Sequence, residues 1–193
     1  MAVKTFTSGE TLTAGDTNTY LNNGGLVYIK GQTIGTGVTS QLISSVFSGT
    51  YDSYRVVISG MQMSSTAQGT LVYAKMHDGT NPANSAYNYA IPRVDYSTGL
   101  VSARYGASQT TGVVVGSGTG DRFGTSFDVI NPFIASHTIF GGLTLSNDTT
   151  GYAGSGAGMH QNSTSYSSLQ ILVSTGTMTG GTIIVYGYRY GTT

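Results

Sequence analysis

Tyr54-Arg55-Val56-Val57-Ile58-Ser59 and Leu71-Val72-Tyr73-Ala74-Lys75-Met76 are the stretches that decide the fold. In the first, Tyr54, Val56 and Ile58 share a face; in the second, Val72, Ala74 and Met76 oppose Leu71, Tyr73 and Lys75. A period of two sends successive side chains to opposite sides of a pleated strand, so each segment reads as a strand with one buried face. Working outward, further strand candidates stand at 25–30, 41–47, 87–94, 100–105, 112–115, 126–130, 138–145, 151–160, 169–174 and 182–190. Turn signals separate them: Asp78-Gly79, Asn81-Pro82, Ser97-Thr98-Gly99, Asn131-Pro132, Asn147-Asp148 and Gly180-Gly181. The spacing predicts an all-β chain, an antiparallel β-sandwich of about eight to ten strands, with the jelly roll as its commonest eight-stranded form.

The segment before these strands is different in kind. Residues 1–24 hold only a sparse apolar ladder, Phe6, Leu12, Ala14, Tyr20 and Leu21, among turn and capping residues. Fixing a backbone costs roughly 1–2 kcal/mol per residue, which so few apolar side chains do not offset unaided. The chain therefore divides into an arm, 1–24, and a β-sandwich display domain, 25–193. A short helix is expected from about Asp16 to Asn22, capped by Thr13 or Asp16 and stopped by Asn22 to Gly25. The competing reading is an N-terminal strand packed on its own domain.

At 193 residues the chain suits one domain. Charged residues make up 8%, balanced at eight of each sign, and no basic run occurs. Phosphate neutralisation needs clustered cations, so nucleic-acid binding is not expected. A sequence pI near 6.8 favours self-association at neutral pH. The longest apolar runs, Val113-Val114-Val115 and Ile183-Ile184-Val185-Tyr186, fall far below the roughly 20 residues of a membrane helix, and no membrane partner is expected. Met1 to Thr5 lacks the apolar stretch of a secretory signal, which points to assembly in a cytoplasm. With no cysteine, disulfides, thiol catalysis and most structural zinc sites are excluded.

Chemistry-bearing patterns are scarce. Asp52, Asp78 and Asp148 sit in turn contexts, leaving Asp95, Asp121 and Asp128 as carboxylates for a glycosidase-type pair whose partners the sequence does not fix. Gly-x-Ser-x-Gly is absent; His77, His137 and His160 are available to a triad, but among so many serines chance proximity is the better account, and they match no metal spacing. Asp16-Thr17-Asn18 and Asp78-Gly79-Thr80-Asn81 offer oxygens to a cation, but capping and hairpin turns explain them better. No catalytic residue, metal site or cofactor is expected. The glycines of 116–120 and 151–158 serve either tight loops with positive φ or close backbone approach at a symmetry axis.

In the last strand Tyr186, Tyr188 and Tyr190 share one face. The plainer reading is a cross-strand aromatic ladder inside the sandwich; the sharper one places them in a subunit interface, where Tyr is enriched. Tyr87, Tyr89, Tyr96 and Tyr105 are candidates for glycan contact, since an aromatic face beside amide and hydroxyl groups suits a sugar.

Phe6-Thr7-x-Gly9-Glu10-x-Leu12-Thr13-Ala14-x-Asp16-x-Asn18-x-Tyr20-Leu21 resembles the N-terminal segment of small virion proteins of tailed bacteriophages, of the minor tail, fibre or head-decoration type. Gly25-Leu26-Val27-Tyr28-Ile29, Gln32-Thr33-Ile34-Gly35-x-Gly37-Val38, Phe47-x-x-x-Tyr51-Asp52-x-Tyr54-Arg55 and Gly180-Gly181-Thr182-Ile183-Ile184-Val185-Tyr186-Gly187-Tyr188-Arg189 are similar to the same group. The resemblance covers roughly the first 60 residues and the last 15. It implies a non-enzymatic virion structural protein, homotrimeric, assembled in the host cytoplasm. Its arm would dock on a head or tail protein through Phe6, Leu12, Asp16, Asn18, Tyr20 and Leu21, and its β-domain would face outward as fibre or decoration, in reach of a host surface. A glycan-binding receptor-recognition module is the alternative, and a polysaccharide depolymerase a third class.

Overall fold

In the computed structural model, residues 7–11, 13, 15, 25–65, 69–120, 122–146 and 151–189 are described. They form thirteen strands: β1 (Gly25–Thr33), β2 (Ser40–Ile43), β3 (Ser53–Met63), β4 (Thr70–His77), β5 (Tyr87–Asp95), β6 (Val101–Gln109), β7 (Val113–Gly118), β8 (Arg122–Ile130), β9 (Thr138–Leu145), β10 (Tyr152–His160), β11 (Ser168–Val173), β12 (Met178–Thr179) and β13 (Thr182–Arg189). The larger sheet runs β1-β13-β3-β8-β9-β10-β5-β6, with β12 on β3, and the smaller runs β2-β11-β4-β7. Every ladder is antiparallel. The chain is an antiparallel β-sandwich, as its alternation predicts.

Within the sandwich, β1-β13-β3-β8 faces β2-β11-β4-β7, and the chain visits the two rows in the nested order of a jelly roll. The hairpins β5–β6 and β9–β10 are additions. They join the larger sheet beyond β8, which takes the strand total past the expected eight to ten.

Large apolar side chains fill the space between the rows: Val56, Ile58, Phe123, Phe127, Ile183 and Val185 from the larger sheet meet Val72, Ala74, Met76, Leu169 and Ile171 from the smaller. Removing each of the Val, Ile, Leu, Phe and Met side chains among them from water contributes about 1.5–3 kcal/mol. The added strands do not continue flat. β4 and β7 are buried along their whole length, and Ile91 of β5 forms a second cluster with Leu71, Tyr73 and Val114. The extension thus curls around the β7 edge and covers the side of β4 that faces away from the main core. This is why Val113-Val114-Val115 is continuously apolar: β7 has an apolar neighbour on both faces.

The curl is made possible by missing side chains. A Cβ at Gly156 would lie 2.8 Å from Ile91 Cγ1, one at Gly158 2.6 Å from Val113 Cγ1, and one at Gly116 2.3 Å from Phe123 Cζ. These glycines lie in strands, not in positive-φ loops, which corrects the loop reading, and they permit close approach between strands of one subunit.

Candidate functional site

Because the inner positions of β9 and β10 are given to small residues and core contacts, their outer positions carry the apolar side chains. Leu145, Ala153, Val94 and Val101 stand in one cross-strand row over β9, β10, β5 and β6; Gly141, Ala157, Ala90 and Tyr105 form another, and Ile139, Met159 and Asn88 a third. All sixteen outward positions on these strands are uncharged. Leu143, Val101 and Tyr105 are 72%, 78% and 79% exposed. Contiguous exposed apolar surface of this kind marks an interaction site more often than a bare surface.

Two shallow hollows lie on this face. One, of about 420 Å³, opens where β8 and β9 part beyond the Phe127–Gly142 pair, and is lined by Val57, Thr125, Ser126, Leu143, Leu145 and Ala153. The other, of about 390 Å³, is lined by Asn88, Ala90, Ala107, Ile139, Ala157 and Met159. Neither brings ionisable side chains together.

At the other end of the same face the chemistry is polar and paired. Arg55 donates from Nε and Nη2 to Asp128 Oδ1 and Oδ2, both at 2.8 Å, and Tyr188 OH donates to Asp128 Oδ1 at 2.7 Å. Burial pushes the Asp128 carboxyl up, but the hydrogen bonds from Arg55 and Tyr188 and the Arg55 charge together hold it below the ordinary carboxylate value. Tyr28 meets Tyr186 edge to face across the β1–β13 ladder, ring centres 6.2 Å apart. The tyrosine row is therefore a cross-strand ladder on the outside of the sandwich. Its reading as an internal ladder is corrected, because Ile183, Val185 and Gly187 take the inward positions. Tyr190 and the arm residues Phe6, Leu12, Asp16, Asn18, Tyr20 and Leu21, with the helix expected there, lie outside the described residues. Thr7 to Thr11, Thr13 and Gly15 are described and exposed.

The glycan candidates do not converge. Tyr87 is fully buried, its ring 4.5 Å from that of His160 and its OH accepting the Met76 N–H at 2.8 Å, so it is a core residue and not a surface contact. Tyr89 faces inward over Gly106, where a Cβ would lie 2.7 Å from its ring. Tyr96 is exposed in the β5–β6 turn, and Tyr105 stands on the opposite face from Tyr87 and Tyr89.

The remaining candidates have structural partners. Asp95, counted among the uncommitted carboxylates, is a turn residue: its Oδ1 accepts the backbone N–H groups of Ser97 at 2.9 Å and Thr98 at 3.0 Å. Asp78 Oδ1 does the same for Thr80 and Asn81, the hairpin-turn role expected. His77 Nδ1 accepts the Gly79 N–H at 3.0 Å, and His160 is enclosed by the rings of Tyr87 and Tyr166. Burial, the largest influence on His160, holds its pKa below the usual imidazole value. Asp121 and Asp148 lie outside the described residues. Among the described residues no cluster of three or more His, Asp or Glu is placed to hold a metal ion, and no helix is long and apolar enough to cross a membrane.

No family model and no curated relative matches the sequence. Among solved structures, β-fructofuranosidase from Schwanniomyces occidentalis is similar over 85% of this chain and 34% of its own, at 7% identity and a TM-score of 0.29. The infectious bursal disease virus VP2 subviral particle is similar over 84% of this chain and 31% of its own, at 13% identity and a TM-score of 0.16. The chain spans about a third of the length of these proteins, and likenesses this slight carry no argument about its function.

Proposed function

We propose that this protein is a structural, non-enzymatic component of a tailed-bacteriophage particle, a homotrimer whose arm, 1–24, docks on a head or tail protein while the β-sandwich is displayed as fibre or decoration. The observation that carries the reading is the outer face of the larger sheet, broad, uncharged and apolar along β9, β10, β5 and β6, a surface suited to contact with other protein. The sequence resemblance of the arm and of the last strand supports it. A jelly roll alone is neutral evidence, since the fold hosts many functions.

The test is incorporation. Full-length tagged protein should sediment with particles assembled in its presence, and a full-length variant with Phe6, Leu12, Tyr20 and Leu21 changed to Ser should stay in the supernatant while retaining its β-type circular dichroism. Equal incorporation of the two would overturn the anchor. A second reading, recognition of a host glycan, is favoured by the exposure of Tyr96 and Tyr105 at the β5–β6 end. It predicts binding on a glycan array that is lost in Tyr105→Ala.

A further inference from the structure

We infer that the outer face of β9, β10, β5 and β6 is covered by a second copy of this chain, an inference that rests on the homo-oligomeric reading above and names the surface it uses.

Four strands about 4.8 Å apart, each about eight residues long at a rise of ~3.3 Å, offer a footprint of roughly 500 Å². A stable contact between subunits takes about 800 Å² of accessible surface from each partner. The shelf, with the side chains that rise from it, is thus the central part of one subunit contact and is far wider than a small ligand needs. Its relief fits the same occupant. Gly141, Ala153, Ser155 and Ala157 make a low floor, and Leu143, Leu145, Ile139 and Met159 stand at its border, so a packed surface can seat between them.

Charge selects among protein partners. A partner recognised through its own acidic or basic groups would find no counter-charge on the outward positions of these strands. A second copy that meets it through the same shelf brings none, since all sixteen outward positions are uncharged, and the Arg55–Asp128 pair farther along the face is closed on itself. The edge matters too. β6 is the last strand of the larger sheet among the described residues, and it is nine residues long, with Val101, Ala103, Tyr105 and Ala107 exposed along it. The opposite edge, β1, carries Lys30 beside a register break, and β6 carries its single charge, Arg104, toward the interior and a register break of its own opposite Tyr87 and Tyr89, so both edges hold devices that discourage strand addition and the contact is made by the face.

The experiment uses the full-length protein and its lack of cysteine. Light scattering coupled to size exclusion gives the mass of the wild type, of Leu143→Asp and of Ala157→Asp, with thermal melts to show that each is folded. Ala157→Cys, a change of small volume, is labelled with a maleimide beside Thr36→Cys, a control in the exposed turn between β1 and β2. The inference expects an oligomeric wild type, monomeric aspartate variants with unchanged melting, and labelling at position 157 several-fold slower than at 36 until the oligomer is diluted apart. An oligomeric wild type with aspartate variants of the same mass and fast labelling at 157 would overturn the shelf as the contact while leaving self-assembly intact. A wild type that remains monomeric at high concentration would overturn self-assembly itself.

Discussion

The two halves of the larger sheet solve the same packing problem with opposite residues. In β1-β13-β3-β8, bulky side chains point inward, Val56, Ile58, Phe127, Ile183 and Val185, and the outer face carries the Arg55–Asp128–Tyr188 cluster and the Tyr28–Tyr186 pair. In β10 the inward positions include Gly154, Gly156 and Gly158, and the outward ones Ala153, Ala157 and Met159. The first half lies across a wide gap that needs filling; the second bends tightly around β7, where Phe140 of β9 and Ile91 of β5 fill the inside and leave no room for side chains on β10 between them. Inward-facing therefore means large in the first half and absent along the middle of β10, whose apolar residues stand on the outside.

If that contrast is right, deleting volume should be worst in the first half. Phe127, 3% exposed in the main cluster, should cost about 3–5 kcal/mol as Phe127→Ala, from lost transfer energy plus the cavity left behind. Chemical denaturation should show the midpoint fall with the slope unchanged. In the second half adding volume should do the damage. Gly158→Ala places a methyl 2.6 Å from Val113 Cγ1 and 2.9 Å from the Asn88 carbonyl oxygen, and should cost about 1–3 kcal/mol. Were Gly158→Ala as stable as the wild type, the glycines would not be what permits the bend.

The next test sits where the halves meet the end of the sandwich. His160, the last residue of β10, is fully buried between Tyr87 and Tyr166. Its folded pKa lies below the unfolded value of about 6.5, so the unfolded chain takes up a proton first. Its contribution is complete above that value and is lost as pH falls from about 6.5 through the folded pKa. Melting temperature should decline over this window in the wild type, and the decline should be shallower in His160→Phe. A smaller effect is expected from Asp128→Asn, about 1 kcal/mol or less, because Arg55 and Asp128 are partly exposed and water screens the pair. That loss should appear in the wild type only as pH drops below the unfolded carboxylate value of about 3.9, since the native carboxyl is held lower still.

These contrasts also explain what could be read in advance. Alternation in β3 announced the sandwich, because a period of two has one reading wherever large residues mark the inside; β4, read as a strand with one buried face, is buried on both, because the added hairpin covers Leu71 and Tyr73. Turn chemistry was equally plain at Asp78-Gly79, where a short side chain satisfies its own loop. The outer shelf was not visible, for Gly154-Ser155-Gly156-Ala157-Gly158-Met159 alternates as cleanly as β3 but does not say which set faces in. Only the position of β7 beneath it decides, and that depends on strands distant in sequence. The four tyrosines were not separable in sequence for the same reason: Tyr87, Tyr89 and Tyr105 are close along the chain, yet the pleat and the β5–β6 register send Tyr87 and Tyr89 inward and Tyr105 to the opposite face.

The smallest effect tests the comparison most directly. Leu143 and Phe140 are neighbours on β9, one 72% exposed and the other 1%. Leu143→Ser removes an apolar side chain of ordinary size, but from the convex side of the bend, where the isolated subunit gives it little to pack against. The change should move the stability of the dissociated subunit by no more than about 0.5 kcal/mol, the range of surface substitutions. In the assembled protein the same change should lower the apparent melting temperature, and the loss should shrink on dilution, because binding stabilises in proportion to the logarithm of partner concentration. A loss independent of concentration would mean that Leu143 supports its own subunit, and the outside of the bend would then be a second core instead of a contact surface.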